Sequence, residues 1–252
     1  MVRFLFTVNL LLLSFLINAQ VPDSSVINTP ANPPRFSVLV VPYNPMMHMS
    51  DADQDISEYS EKDIAQVRSI FRQGLVQQLN AKLITTYDTR NPENDFTEQD
   101  VTDLGELYHS LYYERDTIYP IKYPTKDSTL LLKKVFRKKD HTAKPIEKEY
   151  MNVGMYDQKI LKDLSRKYGV DLFIFLNEFD IKTNYSDCID LANKIYQREI
   201  KVHYTVFDSS GKQVYGDVAV AQFPSNSNDV NDIVAKNFPF ISDYIQSSLK
   251  KR

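Results

Sequence analysis

Residues 160–181 (ILKDLSRKYGVDLFIFLNEFDI) constrain the fold of this chain more than any other stretch. Ile160, Leu161, Leu164 and Tyr168 recur at helical spacing, so an amphipathic helix is expected. Gly169 stands where a left-handed C-cap would fall, a backbone region that glycine alone reaches without steric cost. Leu172–Leu176 then gives five apolar residues without a break, the pattern of a strand covered on both faces. Leu172–Ile181 is therefore the predicted centre of a sheet.

The N-terminus reads MVRFLFTVNLLLLSFLINAQ, with a single cationic residue, Arg3, ahead of an apolar run. Ile17-Asn18-Ala19 before Gln20 suits a signal peptide cleaved after Ala19, giving a periplasmic or secreted protein. The competing reading is a retained anchor, although a membrane span needs about 20 apolar residues and Thr7, Asn9 and Ser14 interrupt this run. Residues 20–35 are rich in Pro, Ser and Asn and read as a flexible tether. A single domain is expected over 36–252, with an insertion at about 88–150.

Phe36–Tyr43 (FSVLVVPY) reads as the first strand, ended by Pro42. An acidic loop, His48 to Ser60, precedes a long helix from about Glu61 to Leu83. Its buried stripe is Ile64, Val67, Phe71, Leu75 and Leu79, and Ser60 with Asp63 resembles a capping box. Leu83–Tyr87 is a candidate short strand. Between Asp88 and Tyr150 the pattern is irregular. Glu93–Glu106 holds six acids and no base, a tyrosine-rich segment follows, and Lys122–Glu149 carries nine Lys/Arg against four Asp/Glu. Thr129–Phe136 could supply a strand of an inserted hairpin.

After the central strand, Ser186–Lys194 reads as a loop or short helix. Arg198–Phe207 alternates cleanly, with Ile200, Val202, Tyr204 and Val206 on one face. The turn Asp208–Lys212 and the return strand Gln213–Gln222 complete a hairpin. A helix from about Asp229 to the C-terminus carries Val230, Ile233, Val234, Ile241, Ile245 and Leu249 on its apolar face, and Pro239 should kink or interrupt it unless the packing accommodates it. The expected class is α/β (α+β): one mixed sheet flanked by helices, with an irregular inserted hairpin region.

This order resembles the α/β domain shared by the TolB amino-terminal domain, the CsgG family and LpoB-type lipoproteins. The matching residues are VLVVPY before a long helix, a helix closing on Tyr168-Gly169-Val170-Asp171, and a strand pair joined by Asp208-x-x-Gly211-Lys212-x-Val214. They span roughly Phe36–Leu83 and Asp157–Leu249. The resemblance implies an exported, non-enzymatic part of envelope machinery that docks to other proteins. The chain departs from it in lacking a lipid-bearing cysteine at the expected cleavage point, in its charged insertion, and in lacking extended transmembrane hairpins. The family offers no catalytic residues to carry over.

Several clusters of residues have the types that chemistry needs. Asp51, Asp53 and Asp55 have the opening spacing of a calcium loop. Ile56 replaces the glycine at its sixth position and Lys62 the glutamate at its twelfth, so an acidic loop facing the next helix start is preferred. Met46, Met47, His48 and Met49 are soft ligands suited to Cu(I), though methionines beside a strand end more often fill packing gaps. Cys188, the only cysteine, lies between Asp187 and Asp190, which disfavour a thiolate. Glu178 and Asp180 share the outward face at the end of the central strand, where paired carboxylates are conceivable, but a strand leaving the core for water is preferred. No G-x-S-x-G, H-E-x-x-H or phosphate-cradling glycine loop occurs, and the chain has six glycines in all.

The expected function is thus a non-enzymatic exported adaptor of envelope assembly or transport, with no cofactor or metal and with envelope proteins as partners. A net charge of −3 argues against nucleic acid. The basic run is compatible with peripheral contact with a membrane. Tyr108, Tyr112, Tyr113, Lys133, Lys134, Arg137, Lys138 and Lys139 are the candidate docking residues, because tyrosine supplies contact area at low entropic cost. The alternatives are a metal- or small-ligand-binding module using the acidic loop 48–63, and an enzyme built from scattered Asp, Glu and Tyr.

Overall fold

The chain has an α/β fold, a six-stranded mixed sheet covered on both faces. The computed structural model describes residues 35–90, 98–117 and 149–250. In chain order these form β1 (Ser37–Val41), a 3-10 turn (Pro45–Met47), β2 (His48–Ser50), α1 (Asp53–Ser60), α2 (Ile64–Leu83) and β3 (Asp88–Arg90). Next come α3 (Glu98–His109), β4 (Leu111–Thr117), β5 (Glu149–Met155) and α4 (Lys159–Tyr168). β6 (Leu172–Asp190), β7 (Ile195–Asp208), β8 (Gln213–Pro224) and α5 (Val230–Leu249) complete the series.

The strand order is β3-β1-β6-β7-β8, with β2 also paired to β6. β1 runs parallel to both neighbours, whereas β6, β7 and β8 form an antiparallel meander. β6 is therefore central. Gly169 ends α4 in the left-handed region, at φ 63° and ψ 44°, and the chain turns directly into β6. That geometry is what the glycine stop predicted.

A residue inserted at Asn177 divides β6. The register with β7 passes from Leu176↔Tyr204 to Glu178↔His203, so Asn177 is the bulge. Alternation alone would put Phe175 and Phe179 on one face. The bulge instead sends Phe179 and Ile181 to the face that already holds Ile174 and Leu176. Phe173 and Phe175 stay on the opposite face. The Asn177 side chain stabilises the irregularity by donating to Thr205 Oγ1 at 2.8 Å and to the Met151 carbonyl at 2.7 Å.

One face packs on α1, α2 and α5. Ile56, Val67, Phe71, Leu75, Leu79, Ile233, Phe238, Ile241 and Ile245 are fully enclosed there. Phe71, Phe179 and Phe238 meet with ring centroids 5.4–5.9 Å apart. A fully buried side chain of this size contributes roughly 1.5–3 kcal/mol. Gly74 lets α2 approach α5 closely, since a Cβ there would lie 2.8 Å from Val234. The other face packs on Leu107 of α3, Leu161 of α4 and Val153 of β5. The antiparallel β4–β5 ribbon lies over this face.

Five expectations are corrected. Pro239 does not interrupt the last helix, which runs through it from Val230 to Leu249. The segment His48–Ser60 is a strand and a helix rather than a loop. The capping box of α2 is Asp63 with Gln66, not Ser60 with Asp63. Ser60 instead serves α5: its Oγ accepts the Val230 N–H at 3.0 Å and donates to the Asn228 carbonyl at 3.1 Å. Leu83–Tyr87 is the helix end and a turn, and the short strand is Asp88–Arg90. Ser186–Lys194 is neither loop nor helix throughout: β6 continues to Asp190 and a tight turn leads into β7. The signal peptide, most of the tether, Glu93–Thr97 and the Thr129–Phe136 strand lie outside the described residues.

Candidate functional site

Of the expected docking residues, the structure describes the three tyrosines. Tyr108 on α3 faces inward: its hydroxyl donates to the Pro42 carbonyl at 2.6 Å and accepts from Arg72 at 2.8 Å. It ties α3 to the end of β1. Tyr113 on β4 packs against the second core cluster, and burial pushes its hydroxyl up to about 12. Tyr112 lies across its cross-strand partner Gly154, with its ring 5.1 Å from that of Tyr156. These tyrosines hold the ribbon and α3 in place. Lys133, Lys134, Arg137, Lys138 and Lys139 lie outside the described residues.

The three carboxylates at calcium-loop spacing diverge. Asp51 accepts from Thr183 through its backbone N–H and its hydroxyl. Asp55 pairs with Arg198. Asp53 turns inward to His48 Nε2 at 3.1 Å and Arg68 Nε at 2.6 Å. Burial alone would raise the Asp53 carboxyl, but the His48 and Arg68 hydrogen bonds outweigh it and hold it below the ordinary carboxylate value. A carboxylate only accepts, so His48 Nε2 donates to it, and Nδ1 is left to face the Tyr43 hydroxyl at 3.2 Å. Both ring nitrogens of His48 are thus engaged. Met46 and Met49 point to solvent. The Tyr43–His48–Asp53 relay sits among Phe71 and Phe179 with Tyr43 fully enclosed, which makes it a structural network.

Glu178 and Asp180 do not emerge into water. They are 6 % and 3 % exposed, because the Asn177 bulge turns them toward the face that the β4–β5 ribbon covers. Glu178 Oε1 stands 3.7 Å from His203 Nε2, too far for a hydrogen bond. Burial, with Asp180 beside it, raises the Glu178 carboxyl. Burial also lowers the His203 imidazole to about 4, helped by Lys201, Arg115 and Lys182. Around them Thr205 Oγ1 donates to Asn152 Oδ1 at 2.7 Å, and Asn152 Nδ2 donates to Gln213 at 3.1 Å. This polar layer fastens the ribbon to the sheet.

The end of β6 and the start of β7 run past their other partner strands. β8 accompanies β7 only as far as Gln197↔Pro224, and β2 leaves β6 at Ile181. Beyond these points a short arm remains, in which Cys188↔Tyr196 and Asp190↔Ile195 pair and Tyr185–Asp187 bulge out of register, before the turn at Leu191–Lys194. Its tip exposes Ile189 and Leu191, the latter by 81 %, and Cys188 is exposed beside them. At the arm's root a cleft of about 270 Å³ is lined by Asp55, Lys194, Tyr185, Tyr196 and Arg198, among others. Sequence reasoning missed the arm because Asn184, Ser186, Asp187 and Asn193 read as loop residues.

Among the described residues, no helix is long and apolar enough to cross a membrane. Comparisons of the chain with protein-family models, curated proteins and solved structures found no match.

Proposed function

We propose that this chain is an exported, non-enzymatic adaptor of the cell envelope that works by protein–protein docking, on a TolB/CsgG/LpoB-like α/β domain. The observation that carries the reading is the short β6–β7 arm, whose tip presents Ile189 and Leu191 to solvent. Apolar side chains exposed at the tip of a strand pair have no role in the core and suit a partner's surface. The N-terminal pattern supports export. The enclosure of Tyr43, His48, Glu178 and His203 supports a non-enzymatic role, since no substrate reaches them. The basic run at Lys133, Lys134, Arg137, Lys138 and Lys139 is proposed as a second, orienting contact.

The test is site-specific photo-crosslinking of the full chain in its native cells, with the crosslinker at Leu191 or at Lys138, followed by fractionation. The expected result is a periplasmic or extracellular protein giving one discrete protein adduct from Leu191 that Ile189→Ser abolishes. Retention in the cytoplasm, or no adduct from either position, would refute the reading.

A further inference from the structure

The floor of the cleft at the arm's root is Arg198, only 3 % exposed. Its Nε donates to Thr183 Oγ1 at 3.2 Å, one terminal nitrogen to Asn228 Oδ1 at 2.6 Å, and the other to Asp55. The guanidinium is therefore held rigidly between α1, β6, β7 and the lead into α5. Three of its five N–H groups are used, and two are left.

The rim adds more donors. Lys194 is exposed, sits in the left-handed region at φ 53°, and has no ion-pair partner among the described residues. Ser225 Oγ accepts the Tyr196 N–H at 2.9 Å and keeps its own proton to give. Asn226 is exposed on the same wall. Asp190, at the arm's tip, spends its oxygens on the Ala192 and Asn193 backbone and the Asn193 amide. Lys194 and Arg198 against Asp55 leave the lining with one net positive charge. Tyr185 is 70 % exposed, and its ring meets that of Tyr196 edge-on at 5.2 Å. A broad aromatic face is thus left open beside the donors.

A ligand complementary to this lining carries one negative charge, several acceptors and an apolar face. It must also be small, because about 270 Å³ falls just below the usual range for small-ligand pockets, about 300–1,000 Å³. A sugar acid meets all four demands. We propose that the cleft binds a uronate, a pyranose ring bearing one carboxylate. Lys194 meets the carboxylate, Arg198 and Asn226 meet ring hydroxyls, and the Tyr185 ring stacks on the sugar's C–H face. The inference is independent of docking at Ile189 and Leu191.

Isothermal titration calorimetry of the full chain against glucuronate, glucose and acetate tests it. Glucuronate should bind at least about tenfold more tightly than glucose, as a charge-assisted bond to carboxylate requires. Lys194→Gln should erase that preference without moving the thermal unfolding midpoint, because the Lys194 side chain is exposed. Tyr185→Ala should weaken both sugars by a similar factor. Equal affinity for glucuronate and glucose would overturn the carboxylate contact. Equal affinity for glucuronate and acetate would overturn recognition of the ring, and absence of binding by either sugar would overturn the site.

Discussion

His203 Nδ1 accepts the Met151 backbone N–H at 2.8 Å, and this bond fixes the tautomer of the ring. An accepting Nδ1 has no proton, so the neutral ring carries its proton on Nε2, toward Glu178. Protonating Nδ1 would set two donors against each other and loosen β5 from the sheet. Burial first, then Lys201, Arg115 and Lys182, lower the imidazole from 6.5 to about 4. Between those values the unfolded chain binds the proton and the native chain does not. The stabilisation is therefore complete above pH 6.5 and lost as pH falls toward 4, amounting to about 3 kcal/mol. Glu178 acts oppositely, since its raised carboxyl favours the native state most at low pH. His203→Asn keeps an acceptor near the Nδ1 position and removes the titration. Urea unfolding at pH 7 and pH 4.5 should show a smaller loss for this variant than for the natural protein, and parallel losses would count against the assignment.

The ribbon is seated on the sheet by a missing side chain. Tyr150 lies over Gly216 of β8, where a Cβ would come within 2.1–2.5 Å of the ring. The Tyr150 hydroxyl accepts from Gln213 at 2.8 Å. Gly216→Ala should therefore force Tyr150 away and destabilise the fold by about 1–3 kcal/mol, the usual cost of overpacking. With Tyr150→Ala already in place, the same change should cost much less. Additive effects in denaturant unfolding would show that the two residues do not meet.

Gly169 carries a comparable demand at the other end of the central element. At φ 63° and ψ 44° a side chain meets the backbone, and a left-handed residue other than glycine costs roughly 1–2 kcal/mol. Branching at Cβ adds to this, so Gly169→Val should lower stability by at least about that amount. Crosslinking from Leu191 should persist in the fraction that stays folded, because the tip of the arm is remote in sequence from the α4 cap. Loss of the adduct at full folding would tie the arm to the cap.

The readable parts of this fold were those where local pattern and tertiary environment agree. The helix–glycine–strand at Ile160–Leu176 and the α5 stripe at Ile233, Ile241 and Ile245 are of this kind, and the structure has both as expected. Glu178 and Asp180 were misread because a period of two has no means of announcing the bulge at Asn177. Ser60 was assigned to the helix beside it, yet its hydroxyl serves Val230, 170 residues away. The cleft residues Asp55, Lys194 and Arg198 converge only through long-range pairing of α1, β6 and β7. No short motif marks them.

The tyrosines supply a last measurable consequence. Tyr215 and Tyr244 both donate to Asp217 Oδ2, at 2.6 and 2.8 Å, joining β8 to α5. Burial first, and then the Asp217 carboxylate, raise both hydroxyls well above the ordinary phenol value. Burial likewise raises Tyr43, Tyr108 and Tyr204, and pushes Tyr113 and Tyr150 up to about 12. A raised phenol keeps its proton in the native state after the unfolded chain has lost it near pH 10. Stability should therefore be intact below pH 10 and decline as pH rises beyond it. In an absorbance titration at alkaline pH, these seven of the sixteen tyrosines should ionise only as the far-ultraviolet dichroism of the fold is lost. Tyr244→Phe should reduce that delayed amplitude by one phenol and lower stability at pH 7 by about 1 kcal/mol, the net value of its hydrogen bond. Ionisation of all sixteen together near pH 10, with the dichroism unchanged, would be incompatible with the packing of Tyr215 and Tyr244 on Asp217.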